Sequence, residues 1–479
     1  MPAPDVTPVI VWYRQDLRLA DNPALCAAVE TGRPVLPVYV LDDVTPGRWK
    51  PGSASRWWLH RSLVALDASL DHRLCILTGN AEEVISKLAA ETGATAVFWN
   101  RCYEPWRVAS DERIFAGLME QGCAADTFNG SLIAEPQTVL KADGTPYRVF
   151  TPYFRAGYQG RSDMIAAPLQ APEIRKYAEC DLSVGIDGLA LLPQVEWYRS
   201  LEAHWAPGEA GAEQRLERFL THGIRGYGSM RDRPDLHQVS RLSPHLHFGE
   251  LSPRQVWHGT VSASTGIEDD ANAFVRQLAW REFSYYLLYH CPELPKENLQ
   301  AKFNGFPWID KGETLTAWEQ GLTGIPIVDA GMRELWQTGF MHNRVRMLAA
   351  SFLVKNLLHD WRHGAAWFWD TLVDADLANN SASWQWVAGC GADAAPWFRI
   401  FNPVTQGRKF DPDGAYVRRY VPELAALPDK LIHAPWEAST DELQAAGISL
   451  GEDYPQPIVD LAESRQRALD TFRQLKASY

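Results

Sequence analysis

Short apolar runs alternate with helical patterns through the first 130 residues. The runs are VIVWY, RPVLPVYV, RLCILTG, TAVFW and AADTF, and the helical patterns between them are RWWLHRSLVALDASL, AEEVISKLAAET and SDERIFAGLMEQ. Strands that alternate with helices are typical of a parallel sheet covered by helices on both faces. We therefore predict an N-terminal α/β domain with a doubly wound, Rossmann-like parallel sheet over residues 1–130. No G-x-G-x-x-G follows the first run, so an ordinary dinucleotide site is not expected there.

The pattern changes twice after residue 130. Between residues 131 and 205, prolines interrupt any long repeating pattern of apolar residues. This is typical of a connector that runs over a surface. From residue 206 the segments EQRLERFLTHG, DANAFVRQLAWREFSYYLLYH, IVDAGMRELWQTG and RVRMLAASFLVKNLLHDW repeat apolar residues at helical spacing. The sequence thus predicts a connector over 131–205 and an all-α domain over 206–479.

Composition limits the class of protein. The seven cysteines are dispersed without a C-x-x-C pair, which predicts reduced thiols and argues against a zinc ribbon or an iron–sulfur cluster. The N-terminus lacks the pattern of a signal peptide, and no apolar run is long enough to cross a bilayer. We expect a monomer in the bacterial cytoplasm, without a membrane partner and without a bound metal.

Charge leaves two alternatives open. A formal net charge of −13 argues against binding to nucleic acid, because proteins that contact phosphates usually have more Lys and Arg than Asp and Glu. Arginines nevertheless gather near residues 225–241, 344–346 and 399–419. They form either a basic face on an acidic protein or a scattered, solvated set, and charge alone favours the second.

Four strings in the helical region combine polar and aromatic residues. They are SRLSPHLHFGELSPRQ, QLAWREF, MHNRVRM and DADLANNSASWQW, and none matches a hydrolase triad or a metal site. From the residues alone, Asp374 and Asp376 are expected to cap a helix, and Asn379 and Asn380 to lie in a turn.

Together these strings resemble the photolyase/cryptochrome family. VIVWYRQDLRLADNPAL resembles its opening strand and loop, while MHNRVRM, DTLVDADLANNSASWQW and FRIFNPVTQGRKFDPDGAYVRRYVPEL resemble its flavin- and DNA-binding strings. SPHLHFGELS and DTLVDADL are most similar to bacterial class III photolyases, which act on cyclobutane pyrimidine dimers and are related to plant cryptochromes. The resemblance implies an N-terminal antenna domain and a C-terminal helical domain that binds FAD and DNA.

Residue by residue, the resemblance implies a flavin pocket rich in hydroxyl, amide and charged groups. Its members are Tyr227, Ser240, Arg241, Leu242, Ser243, Gln277, Arg281, Asn343, Arg346, Asp374, Asp376 and Asn380. Hydroxyls and an arginine can bind the pyrophosphate, and an Arg346–Asp374 pair can hold the flavin ring by charge-assisted hydrogen bonds. Val239 departs from the family, which commonly has a threonine there.

The resemblance also implies a DNA site. A dimer stacked in a duplex cannot reach a buried flavin, so photolyases flip it out of the helix. Trp280, Met347 and Trp386 match positions that pack on the two thymine rings, and Arg231, Arg344 and Arg399 match positions that contact phosphates. Taken singly, each tryptophan would more often be core, but plant cryptochromes replace the first two positions with aliphatic residues.

Five positions are implied to act in electron transfer. Trp308, Trp361 and Trp384 match the chain that recharges oxidised flavin, although any tryptophan taken singly is more often packing. Asn380 matches the position facing flavin N5, where plant cryptochromes have an aspartate. Gln277 replaces a glutamate that contacts the dimer carbonyls in dimer photolyases, although a neutral helix-surface change is the alternative.

The sequence therefore predicts light-driven repair of cyclobutane pyrimidine dimers by electron transfer from photoexcited reduced FAD, with UV-damaged DNA as the partner. The alternative is a cryptochrome-like blue-light photoreceptor without efficient repair. Repair of the 6-4 photoproduct ranks last, because it needs a histidine pair and only His342 is available in MHNRVRM. Relatives of this branch carry methenyltetrahydrofolate as an antenna, and we expect it here. Its residues cannot be assigned, because Trp106 and Arg107 replace the polar pair of better-known relatives.

Overall fold

A computed structural model describes residues 7–159, 165–397 and 399–477. The chain folds into two compact units. The first comprises the described residues within Met1–Arg225 and Ser240–Pro292, and the second those within Gly226–Val239 and Glu293–Tyr479. These units differ from the three predicted segments, because residues 131–225 and 240–292 belong to the first unit. The functional domains drawn at 1–130, 131–205 and 206–479 remain a prediction.

The first unit contains the predicted parallel sheet. Its strands are β1 (Val9–Tyr13), β2 (Val35–Leu41), β3 (Cys75–Thr78), β4 (Ala96–Asn100) and β5 (Ala124–Phe128). All pairs are parallel and the order is β3-β2-β1-β4-β5. Every residue of β1 and β2 is buried, as expected for central strands covered on both faces. The predicted fold class, α/β followed by all-α, is confirmed.

Twenty α-helices are described along the chain. Before residue 240 they are α1 (Pro23–Glu30), α2 (Ser53–Ser69), α3 (Ala81–Thr92), α4 (Pro105–Glu120), α5 (Phe150–Gly157), α6 (Arg199–Glu202), α7 (Glu209–Arg218) and α8 (Tyr227–Met230). After it they are α9 (Ser243–His247), α10 (Pro253–Ser262), α11 (Glu268–His290), α12 (Glu313–Gln320), α13 (Pro326–Thr338), α14 (Asn343–Ser351), α15 (Trp361–Thr371), α16 (Leu377–Ala388), α17 (Pro403–Phe410), α18 (Ala415–Tyr420), α19 (Thr440–Ala446) and α20 (Leu461–Ala477).

The second unit packs its helices around an apolar core. Helix α13 contributes Val328 and Leu335, and helix α14 contributes Val345 and Leu348, all of them buried. The predicted helical segment 344–361 is not continuous. One π-helical turn, Phe352–Asn356, follows α14 before α15 begins at Trp361.

Two local expectations are wrong. Cys75 and Cys180 form a disulfide in the structure, whereas reduced thiols were expected throughout. Asn379 and Asn380 lie in the first turn of α16, because Asp376 caps that helix and starts it just before them. Neither asparagine is in a loop turn. Within the described part of the chain, no helix is both long enough and apolar enough to span a membrane.

Candidate flavin and DNA site

An arginine–aspartate pair joins helices α14 and α16 in the second unit. Arg346 lies in the middle of α14, and Asp374 precedes α16 by three residues. The Arg346 Nη2 donates to both carboxylate oxygens of Asp374, at 3.1 and 2.9 Å, and Nε donates to the Met341 carbonyl at 2.7 Å. The Asp374 side chain is only 4% exposed and that of Arg346 is 24% exposed. These bonds use Nε and Nη2, so the guanidinium Nη1 remains as a donor for a ligand.

Asp376 and Asn380 shape the start of α16. The Asp376 carboxylate accepts hydrogen bonds from the backbone N–H and the side-chain amide of Asn379, both at 2.8 Å. Asn380 donates from Nδ2 to the Ala365 carbonyl on α15 at 2.9 Å. Capping, expected from sequence for both aspartates, thus describes Asp376, while Asp374 forms the ion pair.

Two further flavin candidates lie in the second unit. Asn343 is the first residue of α14 and is exposed, with its amide 4.0 Å from the Met347 sulfur. Tyr227 is the first residue of α8 and is buried, and burial raises the pKa of its phenol. The Arg231 guanidinium lies 5.9 Å from the centre of the Tyr227 ring. Tyr227, a candidate for flavin binding, therefore lies beside Arg231, a candidate for DNA binding.

The remaining flavin candidates belong to the first unit. Ser240 accepts a hydrogen bond from the Leu242 N–H at 3.4 Å, and Ser243 begins helix α9. Arg241, between them, has a φ of 54°, an uncommon conformation for a non-glycine residue that is often found at functional sites. Its guanidinium lies 5.7 Å from the centre of the Trp205 ring.

Helix α11 carries three candidates. Arg281 donates to the Ser131 carbonyl at 3.1 Å and to the Leu246 carbonyl at 3.3 Å, which joins the segment after β5 to helix α9. One turn earlier, Gln277 donates from its amide to the Ala273 carbonyl at 3.3 Å. Trp280 lies between these two residues in the chain and is half-buried.

The Trp280 indole is part of an aromatic stack within the first unit. The Phe150 ring, on α5, lies parallel to it with centroids 3.7 Å apart and an angle of 9° between the planes. Phe283 meets the indole edge-on at 5.7 Å. The arrangement covers one face of a ring that is still partly accessible.

The three tryptophans of the implied electron chain share one apolar core in the second unit. Trp361 and Trp384 are buried in it and Trp308 packs against it. The Trp384 ring contacts Phe368 at 5.1 Å and Trp318 at 6.2 Å, and a Cβ atom added at Gly364 would overlap it. Trp361 donates from its indole N–H to Asn298 Oδ1 at 2.9 Å.

The arginines predicted to contact phosphates have different surroundings. Arg344 pairs with Asp232 at 2.5 Å and lies 4.4 Å from the centre of the Phe410 ring. Arg399 has an exposed side chain, and its carbonyl accepts a hydrogen bond from the buried Lys355 at 2.9 Å. Arg231 is half-buried, with its Nε 4.0 Å from Asp232. Met347 and Trp386, both expected at the lesion, are also half-buried.

The structure therefore brings together Arg346 with Asp374, and Tyr227 with Arg231, inside the second unit. Ser240, Arg241, Leu242, Ser243, Gln277, Trp280 and Arg281 belong to the first unit. Sequence reasoning did not single out Phe150, Asp232 or Phe410, which contact candidate residues. No spacing in the sequence signals these three, because each meets its partner through tertiary packing.

Comparisons with known proteins identify the family. Residues 274–474 match the FAD binding domain of DNA photolyase, and residues 9–173 match the DNA photolyase domain. The chain is 48% identical to a deoxyribodipyrimidine photo-lyase of Agrobacterium fabrum over 98% of both chains. It is 39% identical to cryptochrome-1 of Arabidopsis thaliana over 98% of this chain and 71% of that protein.

A solved structure extends the likeness to three dimensions. The structure of a bacterial class III photolyase from Agrobacterium tumefaciens superimposes with a TM-score of 0.95, at 48% identity and over 98% of each chain. The chain therefore belongs to the DNA photolyase family and contains that family's FAD-binding domain.

Proposed function

We propose that the protein repairs cyclobutane pyrimidine dimers in DNA with blue light. The observation that carries this proposal is Trp280, an indole with one face stacked on Phe150 and the ring still partly accessible. A flat aromatic surface that keeps some exposure suits a flipped base, since base–aromatic stacking contributes about 1–3 kcal/mol per base. Met347 and Trp386 are also proposed to contact the lesion.

The flavin residues have a donor set that fits FAD. Reduced FAD, when bound, supplies the electron that splits the dimer after it absorbs light. Arg346, held by Asp374, would present its remaining N–H groups to the flavin ring, and Asn380 would present an amide. Ser240, Ser243 and Arg281 are proposed to hold the pyrophosphate, and further contacts to FAD are proposed for Tyr227, Arg241, Leu242, Asn343, Asp376 and Gln277.

The tryptophans Trp308, Trp361 and Trp384 are proposed to deliver electrons from the surface to oxidised flavin. Their common apolar core supports this, because a dry, packed surrounding keeps the rings in fixed positions. Arg231, Arg344 and Arg399 are proposed to hold the DNA backbone. Such contacts would position the damaged strand without selecting its sequence.

We also propose an antenna folate, methenyltetrahydrofolate, for the first unit. Its presence would be tested by mass spectrometry of the small molecules released when the purified protein is denatured. A second flavin, or no second chromophore, would contradict this part of the proposal.

The main test uses damaged DNA. The reduced protein is illuminated with an oligonucleotide that contains one thymine dimer, and recovery of the thymine absorbance is followed, with a dark sample as the control. We expect recovery only in the light. Absence of recovery by a protein that contains reduced FAD would overturn repair.

A photoreceptor without efficient repair is the second candidate, supported by the likeness to the Arabidopsis cryptochrome. Asn380 argues for repair, because its amide cannot give a proton to a bound flavin as an aspartic acid can. The same illumination experiment decides between the two functions.

A further inference from the structure

We propose that Phe150 is a positioning residue for the DNA lesion, because it holds the plane of Trp280. This inference rests on the proposed function, in which Trp280 packs on a flipped pyrimidine. Phe150 is the first residue of α5, in the segment predicted to be only a connector, and is 1% exposed. Its ring lies flat against the indole, with centroids 3.7 Å apart.

Phe150 also contacts a second aromatic ring and an arginine. Phe154, one helical turn further along α5, stacks on Phe150 with centroids 5.6 Å apart and 21° between the planes. The Arg276 guanidinium, on α11, lies 5.3 Å from the Phe150 ring and 4.9 Å from the Phe154 ring. These cation–π contacts join α5 to the helix that carries Trp280.

Two contacts limit the motion of the indole. Phe150 covers one face, so rotation of the indole about its side-chain torsion would collide with the phenyl ring. Phe283 meets the ring edge-on and restrains it from a second direction. A ring held in one plane before binding loses less conformational entropy when a base stacks on it, which favours binding of the flipped lesion.

The test compares Phe150→Leu with a matched variant, Phe154→Leu. Phe154 lies on the same helix and in the same aromatic group, and the same atoms are lost, but the Phe150–Trp280 stack remains. For each protein we would measure affinity for dimer-containing and for undamaged oligonucleotides, flavin content, and light-driven flavin reduction. Phe150→Tyr keeps a flat ring and serves as the conservative variant.

We expect Phe150→Leu to weaken binding of dimer-containing DNA roughly two- to tenfold, the range set by the loss of one aromatic pair. Affinity for undamaged DNA, flavin content and flavin reduction should be unchanged. Phe154→Leu should leave lesion affinity near that of the wild type, and Phe150→Tyr should restore it. A merely structural role would instead lower flavin content or both affinities together.

The outcomes separate this inference from the proposed function. If the wild type does not prefer dimer-containing DNA, the proposed function fails. If Trp280→Leu loses the preference while Phe150→Leu keeps it, only the role of Phe150 fails. Equal losses in Phe150→Leu and Phe154→Leu, or tighter lesion binding by Phe150→Leu, would also overturn it. Should Phe150→Leu not fold, Phe150→Met supplies a flexible side chain that adapts to the space without a flat ring, and it is judged by the same measurements.

Discussion

Trp384 and Trp280 both lie in the part of the chain that the sequence predicts to be all-α, but their surroundings differ. Trp384 is 2% exposed and is surrounded by Phe368, Trp318 and Gly364 in the core of the second unit. Trp280, in the first unit, keeps a partly accessible ring with one stacked face. An enclosed ring cannot touch DNA but can pass an electron, whereas an accessible ring can bind a base.

The charged candidate residues also differ in how far they are buried. Asp374 is almost fully buried against Arg346, while Arg399 is exposed. Changes in the enclosed region should therefore alter the flavin or the stability of the protein, and changes in the accessible region should alter DNA binding and repair. Five experiments test this difference between the enclosed and the accessible region.

The largest effect is expected from Trp384→Phe. This change should abolish light-driven reduction of oxidised flavin by an external thiol, because phenylalanine is too hard to oxidise to pass the electron. Repair by chemically reduced enzyme should survive. Trp318→Phe, in the same core, is the matched control and should leave photoreduction intact. Undiminished photoreduction in Trp384→Phe would point to another route, such as the surface stack of Trp336 on Trp367.

The second largest effect, a loss of flavin affinity, is expected from Asp374→Ala. This change leaves Arg346 without the carboxylate that holds it, and loss of a charge-assisted hydrogen bond to the flavin, about 1.5–3 kcal/mol, would lower flavin affinity roughly ten- to a hundredfold. Flavin content after dialysis is the measurement. Asp360→Ala removes the cap of α15 and a pair with Arg362, so it controls for general loss of stability. Full flavin content in Asp374→Ala would show that the pair is structural only.

Arg344→Ala addresses the accessible region. Loss of one charge-assisted phosphate contact should weaken binding of dimer-containing DNA about tenfold. It should also reduce the slope of log affinity against log salt concentration by about one. Titrations at several salt concentrations measure both quantities. Arg473→Ala removes another arginine paired with an aspartate, on α20, and should change neither. A slope that is already flat in the wild type contradicts a DNA-binding face.

Gln277→Glu should raise the quantum yield of repair. A protonated carboxyl donates a stronger hydrogen bond than an amide to the dimer carbonyls, where negative charge appears after electron transfer. A difference of ~1 kcal/mol would favour ring splitting over electron return by roughly a factor of five. Flavin content should not change, and Gln277→Met, which cannot donate, should lower the yield. An unchanged or lower yield in Gln277→Glu rules this mechanism out.

The smallest effect concerns Lys355, fully enclosed beside Trp397 and Arg399. Burial, with a smaller contribution from Arg399, lowers the pKa of its ammonium group to about 7. Between this pKa and the higher value of an unfolded lysine, the unfolded chain binds a proton that the folded chain has released. The contribution of this group to stability therefore rises with pH from about 7 to the pKa of an unfolded lysine, about 10.4, and is constant well below pH 7, where both states bind the proton.

Lys355→Met should remove this dependence. Between pH 6 and pH 9, the thermal midpoint of the variant should change about 2 °C less than that of the wild type. Exposed Lys87→Met is the control and should behave as the wild type does. An identical pH profile in Lys355→Met would mean that the enclosed amine is not the titrating group.

Much of the fold and part of the candidate site follow from the sequence, because they depend on neighbours within a few residues. The run VIVWY becomes β1 because continuous β-branched and aromatic residues suit a central strand buried on both faces. Asp376 caps α16 because its carboxylate can reach an N–H three residues later. The motifs MHNRVRM and DADLANNSASWQW likewise indicate the family without any knowledge of contacts.

Tertiary structure alone decided the contacts between residues that are distant in the chain. Local periodicity does not predict the stacking of Phe150 on Trp280, the pairing of Arg344 with Asp232, or the bond between Cys75 and Cys180. It also shows helical spacing throughout residues 344–361 and does not predict that Phe352–Asn356 forms a π-helical turn there. Each of these features depends on which elements pack side by side, and that choice minimises the free energy of the whole unit rather than of one segment.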